Sequence, residues 1–253
     1  MTRALLLHMA GPLQSWGDSS RWDYRTTLDH PTRSGVLGIL AAALGYRHGR
    51  DLSDLEPIQL TVRVDRPGHL IRDFHTVGGG DDPKRKLPRA RGGRRPDPIV
   101  SHRYYLSDAA FTVAVDGPSE LIARVERALR APVFGTFLGR RSCPPAGPLV
   151  IGATSDPVED LRSVVPLDRP APLDEETVEV EFIVEDSSVV PEGVLARATT
   201  TRTRPIRYGP DAMYGTHTTT RWVEDVSSEL CGGRGVRYLD ALTAWRSRYA
   251  AAA

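Results

Sequence analysis

Apolar residues in this chain come in short runs, and the period of each run names an element. Arg3 to Met9 is nearly continuously apolar, with His8 alone interrupting it after its first residue, the pattern of a buried strand. Pro31 to Gly45, PTRSGVLGILAAALG, is apolar nearly all round and predicts a buried helix. Thr32 or Ser34 can cap it, and Gly45 can end it. Gly35 and Gly38 leave one strip of that helix without side chains, so that another backbone can come close. From Ile58 to Val64 the alternation is clean: Ile58, Leu60, Val62 and Val64 point one way, Gln59, Thr61 and Arg63 the other. That predicts a half-buried strand. A further strand covers roughly His69 to His75, and strand character resumes from Tyr104 to Val115, with Phe111, Val113 and Val115 on one side. Pro118 to Arg130 then sets Leu121, Ile122, Val125 and Leu129 on one face of an amphipathic helix.

The order strand, helix, strand, strand, helix lacks one strand of a ferredoxin-like unit. In that unit two helices cover one face of an antiparallel sheet and leave the other free. The second half is richer in strands: Val178, Val180, Phe182 and Val184 alternate with acids, and Thr199 to Arg204 alternates Thr and Arg. Tyr238, Leu242, Trp245 and Tyr249 share one helical stripe near the end, which docks on the body or on a partner. No internal repeat is present. The predicted fold class is α+β.

Composition narrows the function. A chain of 253 residues can bury a large core, as one domain or as one domain with a smaller companion. No apolar run approaches the roughly 20 residues of a membrane helix, and the N-terminus reads as a strand, not a signal peptide. Two cysteines without CxxC spacing fit a reduced, cytoplasmic protein. Net charge is +1, so overall balance points to no partner, but its distribution does. Seven of the twelve residues from Lys84 to Arg95 are basic, inside GGGDDPKRKLPRARGGRR, and the only two lysines of the chain, Lys84 and Lys86, lie there. From Asp156 to Glu192, by contrast, there are twelve acids and two arginines. Such segregation suggests one surface for an anionic partner and another with a different task.

Four segments could carry binding. The basic loop extends two adjacent strands, and several phosphate contacts from it would give salt-sensitive affinity for nucleic acid; a solvated loop is the plainer reading. In AGPLQSWG, Gln14 can bond a base edge and Trp16 can stack on a base, or Trp16 closes the loop as a core residue. Thr32 to Gly35 opens a helix, where free N–H groups and Arg33 could hold an anion. In FLGRRSCPPAGP, Arg140 and Arg141 could hold a backbone phosphate or pair with the acidic stretch. No GxSxG, HExxH or P-loop pattern occurs, so no cofactor and no metal are expected. A metal-independent RNA cleavage site would need a His or Tyr base near a Lys. His75, with Lys84 or Lys86, is the candidate for it, although a strand-end His also has ordinary structural roles.

Taken in order, AGPLQSWG, PTRSGVLGILAAALG, RDFHTVGGG, RYYLSDAAFTVAV and LGRRSCPPAGPL resemble the Cas five family of CRISPR-associated RAMP proteins in its type I-E Cascade form. The likeness runs from the N-terminus to about residue 152, with TRWVED as a faint later match. It implies a ferredoxin-like, RRM-related domain over 1–150 with a β-hairpin thumb at about 76–103. A smaller β-rich part over 151–253 ends in an amphipathic helix. It further implies a non-catalytic, cytoplasmic subunit that caps the 5′ handle of crRNA, touches the large and backbone subunits, and meets target DNA only through the guide. Type I-C relatives are endonucleases that process the precursor, which is the alternative. By position, Gln14 and Trp16 would lie near the handle, and Arg33 and Ser34 at the helix entry, as further RNA-binding candidates. Arg103 would stand at the base of the thumb, and Arg140 and Arg141 would face RNA. Arg89, Arg91, Arg94 and Arg95 are electrostatic candidates, and His75 lies at the root.

Overall fold

The computed structural model describes residues 3–18, 23–79, 82, 84, 86–89, 92–95, 97–209 and 211–250, with backbone alone at 249 and 250. Strand β1 (Ala4–Ala10) is buried on both faces, as its apolar run requires, with only His8 polar and half-buried. Two short strands, β2 (Leu13–Gln14) and β3 (Tyr24–Arg25), lead to helix α1 (Arg33–Ala43). Thr32 is its cap, with Oγ1 accepting from the Gly35 N–H at 3.2 Å, and Gly45 ends it at φ +77°. Then come β4 (Gln59–Arg66), β5 (His69–Val77), β6 (Ile99–Ser107), β7 (Ala110–Asp116), α2 (Ser119–Arg130) and β8 (Val150–Thr154). The chain finishes with α3 (Pro157–Ser163), β9 (Thr177–Val184), β10 (Arg197–Arg207), β11 (Met213–Ser227) and α4 (Val236–Ala250).

Among the described residues, seven strands make one antiparallel sheet in the order β10-β11-β9-β4-β7-β1-β8. A second, smaller sheet holds β2, β6, β3 and β5. The stretch from Tyr104 to Val115 is thus not one strand, as its pattern suggests, but the end of β6 and all of β7. Asp108, at φ +59°, turns the chain from one sheet into the other. Gly68 makes the matching turn between β4 and β5. Its φ is +71° and a Cβ there would lie 2.6 Å from the Ser107 carbonyl, so no other residue fits.

One face of the main sheet is covered by α1 and α2, with Leu5, Leu7, Val62, Phe111 and Val113 meeting Val36, Leu40, Ile122 and Val125. The other face is not free, contrary to expectation. Leu6, Ala114 and Ile151 meet Leu161 of α3 and Tyr238, Leu242 and Trp245 of α4. Tyr238, Leu242 and Trp245 of the helical stripe near the C-terminus therefore dock on the body, and Trp245 sits where Gly152 leaves room for it; the side chain of Tyr249 lies outside the described residues.

This second layer also corrects the reading of β4 as half-buried. Its polar side holds Thr61, Arg63 and Asp65, all buried, with Arg63 and Asp65 at 0% exposure. Arg63 is neutralised by Asp65 at 2.7 Å and donates to the carbonyls of Leu161, Val165 and Pro166 at 2.6–2.7 Å. A charge in a core survives only when it is paired and bonded in this way.

Beside it, Asp168 accepts from Nε2 of His8 at 3.0 Å and pairs with Arg66. Burial pushes the Asp168 carboxyl up, but His8 and Arg66 outweigh that and hold it below its ordinary value. A depressed carboxylate adds stability above its unfolded pKa of about 4, and loses it as the pH falls through the folded value. Asp168→Asn should therefore melt below the parent near neutral pH. The gap should close as the pH falls below about 4; a gap that stays constant down to about pH 2 would refute the assignment.

Candidate nucleic-acid interface

The basic loop crowns a long arm. Strands β5 and β6 pair without a break from His69↔Ser107 to Val77↔Ile99, so the described residues between 76 and 103 belong to the distal part of this hairpin. Beyond the paired strands the chain folds back once more. Arg95 N–H donates to Leu87 O at 2.8 Å, Arg89 N–H to Gly93 O at 3.0 Å, and Arg94 Nη1 to Lys86 O at 3.0 Å. Gly92 and Gly93, at φ +85° and +75°, make that turn. Lys84, Arg89, Arg94 and Arg95 are exposed and Lys86 is half-buried; Arg91 lies outside the described residues. His75 and Arg103 are half-buried and share one face of the hairpin, on either side of Ser101. Ser101 Oγ donates to His75 O at 3.5 Å, and Arg103 Nε donates to Ser101 Oγ at 3.4 Å. Among the described residues no hydrogen bond joins His75 to Lys84 or Lys86.

Several other sequence candidates face inward. Gln14 and Trp16 are both at 0% exposure. The Gln14 amide donates to Met9 O at 3.0 Å and Ala109 O at 2.8 Å, and its carbonyl accepts from Trp16 Nε1 at 3.0 Å. Neither presents an edge or a ring face to solvent, so the core reading of Trp16 is the one its surroundings match. Arg33 also turns inward, to Glu185 at 2.5 Å and to the carbonyls of Ile58 and Glu56 at 2.7 and 2.9 Å. Its charge is spent on fastening α1 to the sheet. Arg140 donates to Tyr104 O at 3.0 Å and Arg25 O at 2.7 Å while lying over the Tyr105 ring, so it clamps β3 to β6. Of the candidates outside the hairpin, Arg141 is exposed, and Ser34, half-buried, lines the same groove as Arg141.

The glycines explain this packing. At Gly139, φ is +88° and a Cβ would fall 1.7 Å from the Ser15 carbonyl, so the two family-like blocks lock together only through glycine. The strip on α1 is approached by rings, not by backbone: a Cβ at Gly35 would lie 2.6 Å from Trp16, and one at Gly38 3.5 Å from the Tyr208 hydroxyl. Gly35→Ala should overpack this contact by about 1–3 kcal/mol, more than helix propensity returns, and lower the melting temperature by a few degrees. An unchanged or higher melting temperature would show that Trp16 yields at no cost.

Over the same strip lies a groove of about 1280 Å³. Gly35, Gly38 and Ala42 form its floor; Arg47, Arg50 and Arg141 place cations on it, His48 lines it beside them, and Phe134 and Tyr214 add exposed rings. Tyr208 closes it by donating to Ser34 O at 2.5 Å, and burial pushes the Tyr208 hydroxyl up, so that it stays a donor. Past Ser34 and Tyr214 a second cleft of about 880 Å³ continues over Thr200 and Arg202. Cations beside open ring faces can hold a single-stranded polyanion. Sequence reasoning missed this wall. Arg47-His48-Gly49-Arg50 directly after the helix was a signal, whereas Phe134 and Tyr214 are brought in by distant segments.

Among the described residues no cluster of His, Cys, Asp and Glu is arranged to hold a metal ion, and no helix is long and apolar enough to cross a membrane. The family model described as CRISPR-associated protein (Cas_Cas5) matches residues 4–217. The CRISPR system Cascade subunit CasD of Escherichia coli (strain K12) is 37% identical over an alignment of 184 residues that covers 66% of this chain and 79% of that one. A chain of a solved CRISPR RNA-guided surveillance complex is 39% identical with a TM-score of 0.84, covering 96% of this chain and 98% of that one. A crystal structure of a Cas protein is 30% identical with a TM-score of 0.61, covering 92% and 98%. With its arm, its groove and these likenesses together, the chain belongs to the Cas5 family of CRISPR-associated proteins.

Proposed function

We propose that the protein is the crRNA-binding subunit of a type I-E Cascade surveillance complex, where it caps the 5′ handle in antiviral defence. One observation carries this reading: agreement over nearly its whole length with a chain of an RNA-guided surveillance complex, at a TM-score of 0.84. The order β8-β1-β7-β4, with α1 and α2 on one face, supports a ferredoxin-like, RRM-related unit that runs through β8, to about residue 154 instead of 150. Strands β9 to β11 and α4 form the β-rich part that follows. The hairpin is its thumb.

Phosphate contacts come from the thumb arginines, Arg103 and Arg141, and from the groove over α1. Gln14, Trp16, Arg33 and Arg140 hold that surface in shape from beneath. The large and backbone subunits and crRNA are its partners in the cytoplasm, and target DNA is met only through the guide, which reads sequence while protein sets its path. The subunit binds without turnover.

The test is binding of its own repeat RNA against unrelated single strands at physiological salt, with EDTA present. Preference for the repeat without cleavage is expected. Equal affinities would reduce it to a general RNA binder. Specific cleavage lost with His75→Ala would make it a processing endonuclease.

A further inference from the structure

One rung of the arm carries three rings. The register places Tyr24 of β3 and Phe74 of β5 opposite His102 of β6, one on each side. Residues opposite one another on neighbouring strands share a face of the sheet. The centroids are 5.0 Å apart for Tyr24 and His102 and 5.6 Å for Phe74 and His102. Their planes are tilted by 41° and 60°, so the rings do not cover one another. Tyr24 remains 46% and Phe74 63% exposed. A single exposed apolar residue needs no explanation, but an aligned row of rings on a projecting hairpin does.

Resting on the crRNA-binding role, we propose that Tyr24, His102 and Phe74 form a platform on which unpaired RNA bases stack. Charge selects this occupant over a protein. Arg72 stands on the same face, one rung toward the body, exposed and opposite Tyr104. Toward the tip, the same hairpin carries the exposed Lys84, Arg89, Arg94 and Arg95. A strand whose phosphates follow those cations would bring its bases over the rings, the combination that single-strand binders use. Every base has a π-face, so the platform is tolerant of sequence and leaves discrimination to other contacts.

Stacking releases no counterions, and this gives the test its separate readout. The full-length protein is titrated with fluorescein-labelled repeat RNA, single-stranded and in duplex form, over a range of salt. Phe74→Ala should weaken the single-strand complex by about 5- to 150-fold, with the log–log salt slope unchanged. Phe74→Trp should restore the affinity, and duplex binding should not respond to either change. Wild-type affinity in Phe74→Ala, with the parent's salt dependence intact, would overturn the platform and leave the crRNA-binding role standing. Failure of the parent to bind RNA at all would overturn both. Unchanged RNA affinity with loss of other subunits on co-purification would show the rings to be a protein contact, and the proposal wrong.

Discussion

Arg63→Met is expected to melt about 6–20 °C below the parent, the equivalent of about 3–5 kcal/mol. Methionine fills much of the space of the arginine stem, so the effect isolates the guanidinium. That group is at 0% exposure and satisfies three carbonyls, those of Leu161, Val165 and Pro166, as well as the Asp65 carboxylate. Without it, Asp65 keeps bonds from Thr112 Oγ1 at 2.8 Å and Asp168 N at 3.2 Å, but its charge loses its partner. Breaking a buried pair from one side is among the costliest single changes, because the remaining ion cannot reach water. Loosening is expected first between α3 and the residues after it, which Arg63 ties to the sheet. A melting temperature within about 2 °C of the parent would show that this segment is held by apolar packing alone.

Removing charge from the thumb should leave the fold intact and strike binding instead. Changing Lys84, Lys86, Arg89 and Arg95 to Gln alters exposed or half-buried side chains at the tip, where substitutions shift stability by about 0.5 kcal/mol or less. Each cation lost from a phosphate lowers the log–log salt slope by about 0.7 to 0.9, so four together lower it by roughly 3 to 4. At about 0.15 M salt the same relation puts the affinity loss at a few hundredfold. The measurement is a salt titration of repeat RNA binding alongside a thermal melt. An unchanged slope with an unchanged melt would remove the thumb from the RNA path.

Local pattern carried most of the elements. The periods of Leu121, Ile122, Val125 and Leu129, and of Val178, Val180, Phe182 and Val184, mark the buried faces of α2 and β9, and all eight residues are in the core. Thr32 and Gly45 punctuate α1 because capping and left-handed backbone depend on residues within one turn of the helix. The candidate site was less legible. Trp16, Gln14, Arg33 and Arg140 have the chemistry of RNA contacts, yet their polar atoms are consumed by the fold. Type and spacing do not say which way a side chain turns. Arg140 and Arg141 are adjacent in the chain, and one clamps a backbone while the other faces the groove.

The sequence by itself determined most of the elements, the cap and the end of α1, the basic arm and the family, since each rests on short-range spacing or on blocks in order. Only the tertiary structure decided what lies on either side of β4. Alternation there is satisfied equally by water and by a buried ion pair, and α3 and α4, roughly a hundred residues or more away in sequence, make it the latter. It also decided that one run of strand splits between two sheets at Asp108, and that Tyr24, Phe74 and His102 meet in a row. Such contacts are set by which strands pair, and pairing is decided by the whole chain at once.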